Sequence, residues 1–127
     1  MADVVFAIPG DLKSTTGGYA YDRRVIELLP DFGVRVSVLP LADTYPNPSA
    51  SDLAETARLL KAKPRDEVLM VDGLAFGAFT DEVLEALSGR VVALVHHPLF
   101  LETGLPHSRK VEIKASEEIA LQHASHI

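Results

Sequence analysis

A chain of 127 residues without a single cysteine has the length of one domain and can bury a core without disulfide or thiolate-metal staples. Apolar residues make up 47%, which excludes a disordered chain, and the formal net charge of −6 argues against a nucleic-acid-binding surface, because phosphates would be repelled. Residues 1–9 lack the length and the basic segment of a signal peptide, and no stretch reaches the ~18–20 apolar residues of a membrane helix; the expectation is a soluble, cytoplasmic protein with no transmembrane segment.

The chain opens on Val4, Val5, Phe6, Ala7 and Ile8, bounded by Pro9 and Gly10. A short run that is apolar on both faces suits a buried parallel strand. Tyr21, Val25, Leu28 and Leu29 then recur at helical spacing over residues 19–29. Val34, Val36, Val38 and Leu39 make a second β-branched run, ended by Pro40. The loop over residues 41–50 carries Pro46 and Pro48, and prolines favour an extended path there. Ser51 is placed to cap a helix with apolar positions Leu53, Ala57, Leu59 and Leu60. Val68 to Val71 form a third run, ended by Asp72 and Gly73. Thr80 is placed to cap a helix through Val83, Leu84 and Leu87, stopped by Gly89. Val91 to Val95 form the fourth run, ended by His96, His97 and Pro98. Ser108 is placed to cap a last helix with Val111, Ile113, Ala115, Ile119 and Leu121.

Strand and helix alternate throughout, which predicts parallel strands joined by right-handed crossovers. The fold class is α/β, a Rossmann-like, doubly wound parallel sheet in three α/β/α layers. The helix ending near His123 runs into His126 and Ile127, where the pattern places a further strand. A domain interrupted at a strand start is the expectation.

Ligands of open α/β sheets sit beyond the carboxyl ends of the strands. In the first such loop, Gly17 and Gly18 stand where the helix begins. Free N–H groups and the helix dipole favour an anion such as phosphate there, although a tight turn with ordinary caps explains the same glycines. Arg23 and Arg24 form either an anion clamp or a solvated face partnered by Asp22. Tyr19 and Tyr21 either border a sugar or pack. Asp72, at the third strand end, either accepts from a ligand hydroxyl or caps the next helix. His96 and His97 end the fourth strand, where an imidazole suits hydroxyl binding or proton transfer. Successive extended residues point opposite ways, so one of the two faces the cleft. Glu102 either binds substrate or caps a turn. His96, His97, Glu102 and His107 lack the spacing of a recognised zinc site, and no metal is expected. His123 and His126 read as surface residues.

Together, Thr16-Gly17-Gly18-Tyr19-Ala20-Tyr21-Asp22-Arg23-Arg24, Val71-Asp72-Gly73-Leu74-Ala75-Phe76-Gly77, Leu94-Val95-His96-His97-Pro98-Leu99 and Leu101-Glu102-Thr103-Gly104 resemble the N-terminal domain of group 1 (family 4) glycosyltransferases with the GT-B architecture. The resemblance runs in order over essentially the whole chain. It implies that residues 1–127 are the acceptor-side domain of a retaining enzyme of carbohydrate biosynthesis. Such an enzyme moves a glycosyl group from a nucleotide-sugar donor to an acceptor without a cofactor or metal. It places the donor diphosphate at Gly17 and Gly18, with Tyr19, Arg23, Asp72 and Glu102 among the binding residues. It gives contact with the transferred sugar to His97, with His96 as the alternative. The C-terminal domain that binds most of the donor is missing, so the isolated chain is expected to be inactive. Its domain-facing side would favour a homodimer, and the full enzyme could sit peripherally on a membrane.

Two other classes compete. A stand-alone flavodoxin-like binding module is suggested by the short chain and by Ser14, Thr15 and Thr16. A metal-dependent hydrolase would use His96, His97 and His107. A serine hydrolase ranks below these, since no Gly-x-Ser-x-Gly elbow occurs.

Overall fold

The computed structural model describes residues 3–10, 17–96, 99 and 106–127, and only the backbone of residues 17–19. Four strands, β1 (Val4–Pro9), β2 (Val36–Leu41), β3 (Val68–Asp72) and β4 (Val91–Leu94), form one sheet in the order β2-β1-β3-β4. All neighbouring pairs are parallel, with Val4 opposite both Val36 and Val68, and Leu69 opposite Val91. The chain is thus α/β, with helices α1 (Gly17–Leu28), α2 (Ala50–Ala62), α3 (Gly73–Phe76), α4 (Asp81–Glu85) and α5 (His107–Leu121) between and after the strands. None of these helices is long and apolar enough to cross a membrane.

The continuous apolar run of β1 has the expected cause. Val5 and Ala7 belong to a cluster with Leu69, Val71, Val91 and Ala93 of the sheet. Leu60 of α2, Phe76 of α3, Val83 and Leu84 of α4, and Ala120 of α5 cover that face. Phe6 and Ile8 alternate onto the other face and are equally buried. The fourth and third strands alternate instead between buried and half-buried residues, so their second face is less covered. Phe79 joins the core by tilted and edge contacts to Phe76 and Tyr45, with centroids 5.4 and 5.9 Å apart. The Tyr45 hydroxyl lies 2.7 Å from the Thr56 hydroxyl, which satisfies a phenol that burial would otherwise penalise.

Several boundaries differ from the sequence expectation. Pro40 lies inside β2, opposite Ile8; β2 is an edge strand, where a missing N–H can face away from the ladder. The α2 cap is Ser49, not Ser51. Ser49 Oγ accepts from the Asp52 N–H while Asp52 accepts from the Ser49 N–H, a reciprocal capping box. The 41–50 loop is turned rather than extended: Asn47 donates its N–H to Thr44 O. Thr80 stands at the α4 cap without a side-chain bond, and the helix ends at Glu85, before Leu87. Pro106 precedes α5 and Ser108 lies inside it, because proline's fixed φ suits a helix start. The short α3 begins directly after Asp72, which takes the cap alternative of its two sequence readings.

After α5 the chain turns back to the sheet. Ser125 and His126 donate their N–H groups to Val91 O, and Ala93 donates to His126 O. This isolated parallel bridge between Val92 and His126 lies where the alternating pattern places a strand.

Candidate functional site: a buried aspartate pair and His96

In this order the chain leaves β1 for β2 on one side and later returns to β3 on the other. The topological switch point therefore falls between β1 and β3, and a ligand crevice is expected outside their carboxyl ends. Three segments meet there: the start of α1, the end of β3 and His96, two residues after the end of β4.

Asp22 lies one turn into α1, in register with Val25, Ile26 and Leu29 at three, four and seven residues on. That stripe faces inward, so helix periodicity carries a carboxylate into the interior, where its exposure is 0%. Asp72 is the last residue of β3; its Oδ1 accepts the Leu74 N–H and caps α3. Gly73 follows it because a Cβ there would stand 3.0 Å from Val95 Cα and 3.1 Å from Leu94 O. His96 closes the group. Its Nε2 lies 2.9 Å from Asp22 Oδ1 and 3.4 Å from Asp72 Oδ2. The ring packs edge-on against Tyr21, with centroids 5.2 Å apart, and its side chain keeps 26% of its surface exposed.

Two carboxyls share this enclosure. Burial, and then the hydrogen bond and the charge of Asp72, push the Asp22 pKa up to about 9, because the pair cannot readily hold two negative charges in a low dielectric. Asp22 Oδ2 and Asp72 Oδ2 are buried and have no hydrogen-bond donor. The arrangement offers acceptor oxygens, a proton held on the pair and an imidazole edge at the surface.

A third acidic residue holds Leu99, beyond β4. Glu117 of α5 is 3% exposed, and its Oε2 and Oε1 accept the Leu99 N–H at 2.9 and 3.1 Å. Gly77 makes room for it, since a Cβ there would lie 2.9 Å from Glu117 Oε2. Beside these residues opens a cleft of about 740 Å³, lined among others by Pro46 and Asn47 of the β2–α2 loop, Leu74 of α3, Leu99, and Arg109 and Ile113 of α5. It too lies on the carboxyl side of the sheet.

No protein family, curated protein or solved structure matches this chain.

Of the residues singled out in the sequence, Asp72 and His96 are brought together. Gly17 and Gly18 open α1 as expected, Tyr19 follows them on the same turn, and Arg23 is half-buried beside Asp22. Arg24 is a solvated residue paired with Glu27 at 3.4 Å, which decides its alternatives for the surface reading. His97 and Glu102 lie outside the described residues. His107, His123 and His126 are exposed on or after α5. Among the described residues, the group with metal-ligand proximity is instead Asp22, Asp72 and His96. Asp22, read only as an arginine partner, and Glu117, not singled out, are the residues that sequence reasoning missed. Each stands on an apolar helix stripe, Glu117 between Ile113 and Ala120, and an acidic residue on such a stripe is the signal that would have found them.

Proposed function

We propose that this chain is the acceptor-side domain of a retaining, GT-B-type glycosyltransferase, Rossmann-like and doubly wound, acting from a nucleotide-sugar donor. The observation that carries the reading is the meeting of three resemblance segments at one point. Asp22 of the first, Asp72 of the second and His96 of the third are separated by 50 and 24 positions in the sequence, yet stand within 3.4 Å of the His96 ring nitrogen. Their position at the switch point is where such a sheet holds ligands.

In this reading the N–H groups at Gly17 and Gly18, aided by the α1 dipole, face the donor diphosphate, with Tyr19 and Arg23 beside them. The Nε2 of His96 is engaged with the aspartate pair, and the resemblance gives the transferred sugar to His97, with His96 as the alternative. Glu102 stays with the substrate side. The cleft beside Leu74 and Arg109 takes the acceptor. A second domain supplies the nucleotide site, and the isolated chain has little activity.

A non-catalytic, flavodoxin-like binding module is the second reading, favoured by one observation. The order β2-β1-β3-β4 is that of flavodoxin-like sheets, which carry flavin at the same switch point.

The test is an assay of the natural protein against a panel of nucleotide sugars. Donor consumption that falls by about 10²-fold or more in His97→Ala, the scale of lost acid–base or hydrogen-bonding help, supports the transferase. No consumption of any donor, together with saturable binding of flavin mononucleotide, overturns it in favour of the binding module.

A further inference from the structure

We propose that Asp22, Asp72 and His96 form a structural site for one divalent transition-metal ion, of the Zn²⁺ or Mn²⁺ class, tying α1 to the carboxyl ends of β3 and β4.

The geometry is that of ligands on a common centre. Each residue offers one ligand atom, and the three atoms lie within 4.8 Å of one another. Two ligand atoms each roughly 2.1 Å from an ion, at tetrahedral to right angles, stand about 3.0–3.4 Å apart. The contacts from His96 Nε2 are 2.9 Å to Asp22 and 3.4 Å to Asp72. The three ligands come from α1, the end of β3 and the segment after β4, so an ion ties α1 to two strands already paired with each other.

A second observation is independent of this spacing. Asp22 Oδ2 and Asp72 Oδ2 are buried without any donor, on side chains 0% and 3% exposed. A buried carboxylate oxygen needs a proton, a donor or a cation. The imidazole beside these oxygens keeps 26% of its side chain exposed, so the cluster reaches the surface at His96. Two carboxylates also neutralise a dication, which removes the repulsion of the pair.

The donor set selects the ion. Imidazole with carboxylate suits Zn²⁺ and Mn²⁺. Ca²⁺ asks for six to eight oxygens and Mg²⁺ for an oxygen octahedron, which these residues do not supply. The ion is a fastener and is placed on no reaction path, so the inference does not depend on the transferase reading.

The experiment is calorimetric titration of chelator-treated protein with Zn²⁺, Mn²⁺ and Mg²⁺, with thermal unfolding followed alongside. Expected are one-to-one binding of Zn²⁺ and weaker binding of Mn²⁺, a raised unfolding midpoint with either, and no shift with Mg²⁺. Asp72→Asn keeps the Oδ1 acceptor for Leu74 and so should fold. It should lower Zn²⁺ affinity by about tenfold or more, as should His96→Asn. No saturable binding in the wild type overturns the proposal. So does equal affinity in both variants, which would put the ion at the exposed histidines of α5 and the C-terminal turn. Absence of saturable metal binding in a wild-type protein that consumes a nucleotide sugar would remove this inference alone.

Discussion

Asp22 is a surface-type residue placed in the interior, and its protonation should be visible in stability. In the unfolded chain its carboxyl titrates near 3.8, whereas in the fold it is pushed up to about 9, by burial first and then by Asp72. Between these values the folded state holds a proton that the unfolded state has released. The stability associated with the neutral acid is therefore complete below about pH 4 and is lost progressively as pH rises towards 9. Asp22→Asn removes this titration and keeps a donor facing Asp72. In metal-free protein, urea unfolding at pH 5 and pH 8 should show the variant gaining on the wild type at the higher pH. A difference between the two proteins that does not change with pH would mean that the pair does not share a proton. The contrast with Asp52 shows why environment rather than residue type decides. Hydrogen bonds from Thr44 and then Ser49 hold that exposed carboxyl below its ordinary value, and it serves the α2 cap and the loop residue Thr44.

At the scale of elements, α5 is joined to Leu99, beyond β4, by one carboxylate. Helix α5 begins at a proline with no side-chain cap, and much of its surface is exposed. Its inward stripe is Ile113, Glu117, Ala120 and Leu121, and Glu117 spends both oxygens on the Leu99 N–H. Glu117→Ala leaves that buried N–H without an acceptor, at a cost of about 1–3 kcal/mol, and releases Leu99 from α5. Chemical denaturation should show the loss; an unchanged midpoint would mean that water replaces the carboxylate without penalty. Element starts were the least legible part of the sequence. Ser49 and Ser51 both have the chemistry of a cap, and only the reciprocal bond with Asp52 separates them. Helix α3 is four residues long, too short for any periodicity to register, although the Asp72-Gly73 pair that starts it was visible as a strand end.

For the molecule as a whole, the sheet was legible because burial on two faces leaves a mark on composition. Val4 to Ile8 are apolar without alternation, and the residues between the runs return at helical spacing. Strand order was not legible, since nothing in a run says which neighbour it takes. The site was half legible: Asp72 and His96 follow from strand ends, but Asp22 and Glu117 look like ordinary helix charges until their stripe is traced. The order β2-β1-β3-β4 also sets how stability is distributed. β1 is bonded on both sides and buried at every position from Val4 to Pro9, so its amides open only when the sheet does. β2 is bonded to β1 alone among the described residues, carries Pro40 and exposes Ser37, Val38 and Pro40. Edge ladders of this kind open locally at lower free energy than the interior. Amide hydrogen exchange should therefore find Phe6, Ala7, Leu69 and Val71 among the slowest, and the β2 amides faster by orders of magnitude. Equal protection of β1 and β2 would require the β2 edge to be covered and would overturn this account of where the fold is held.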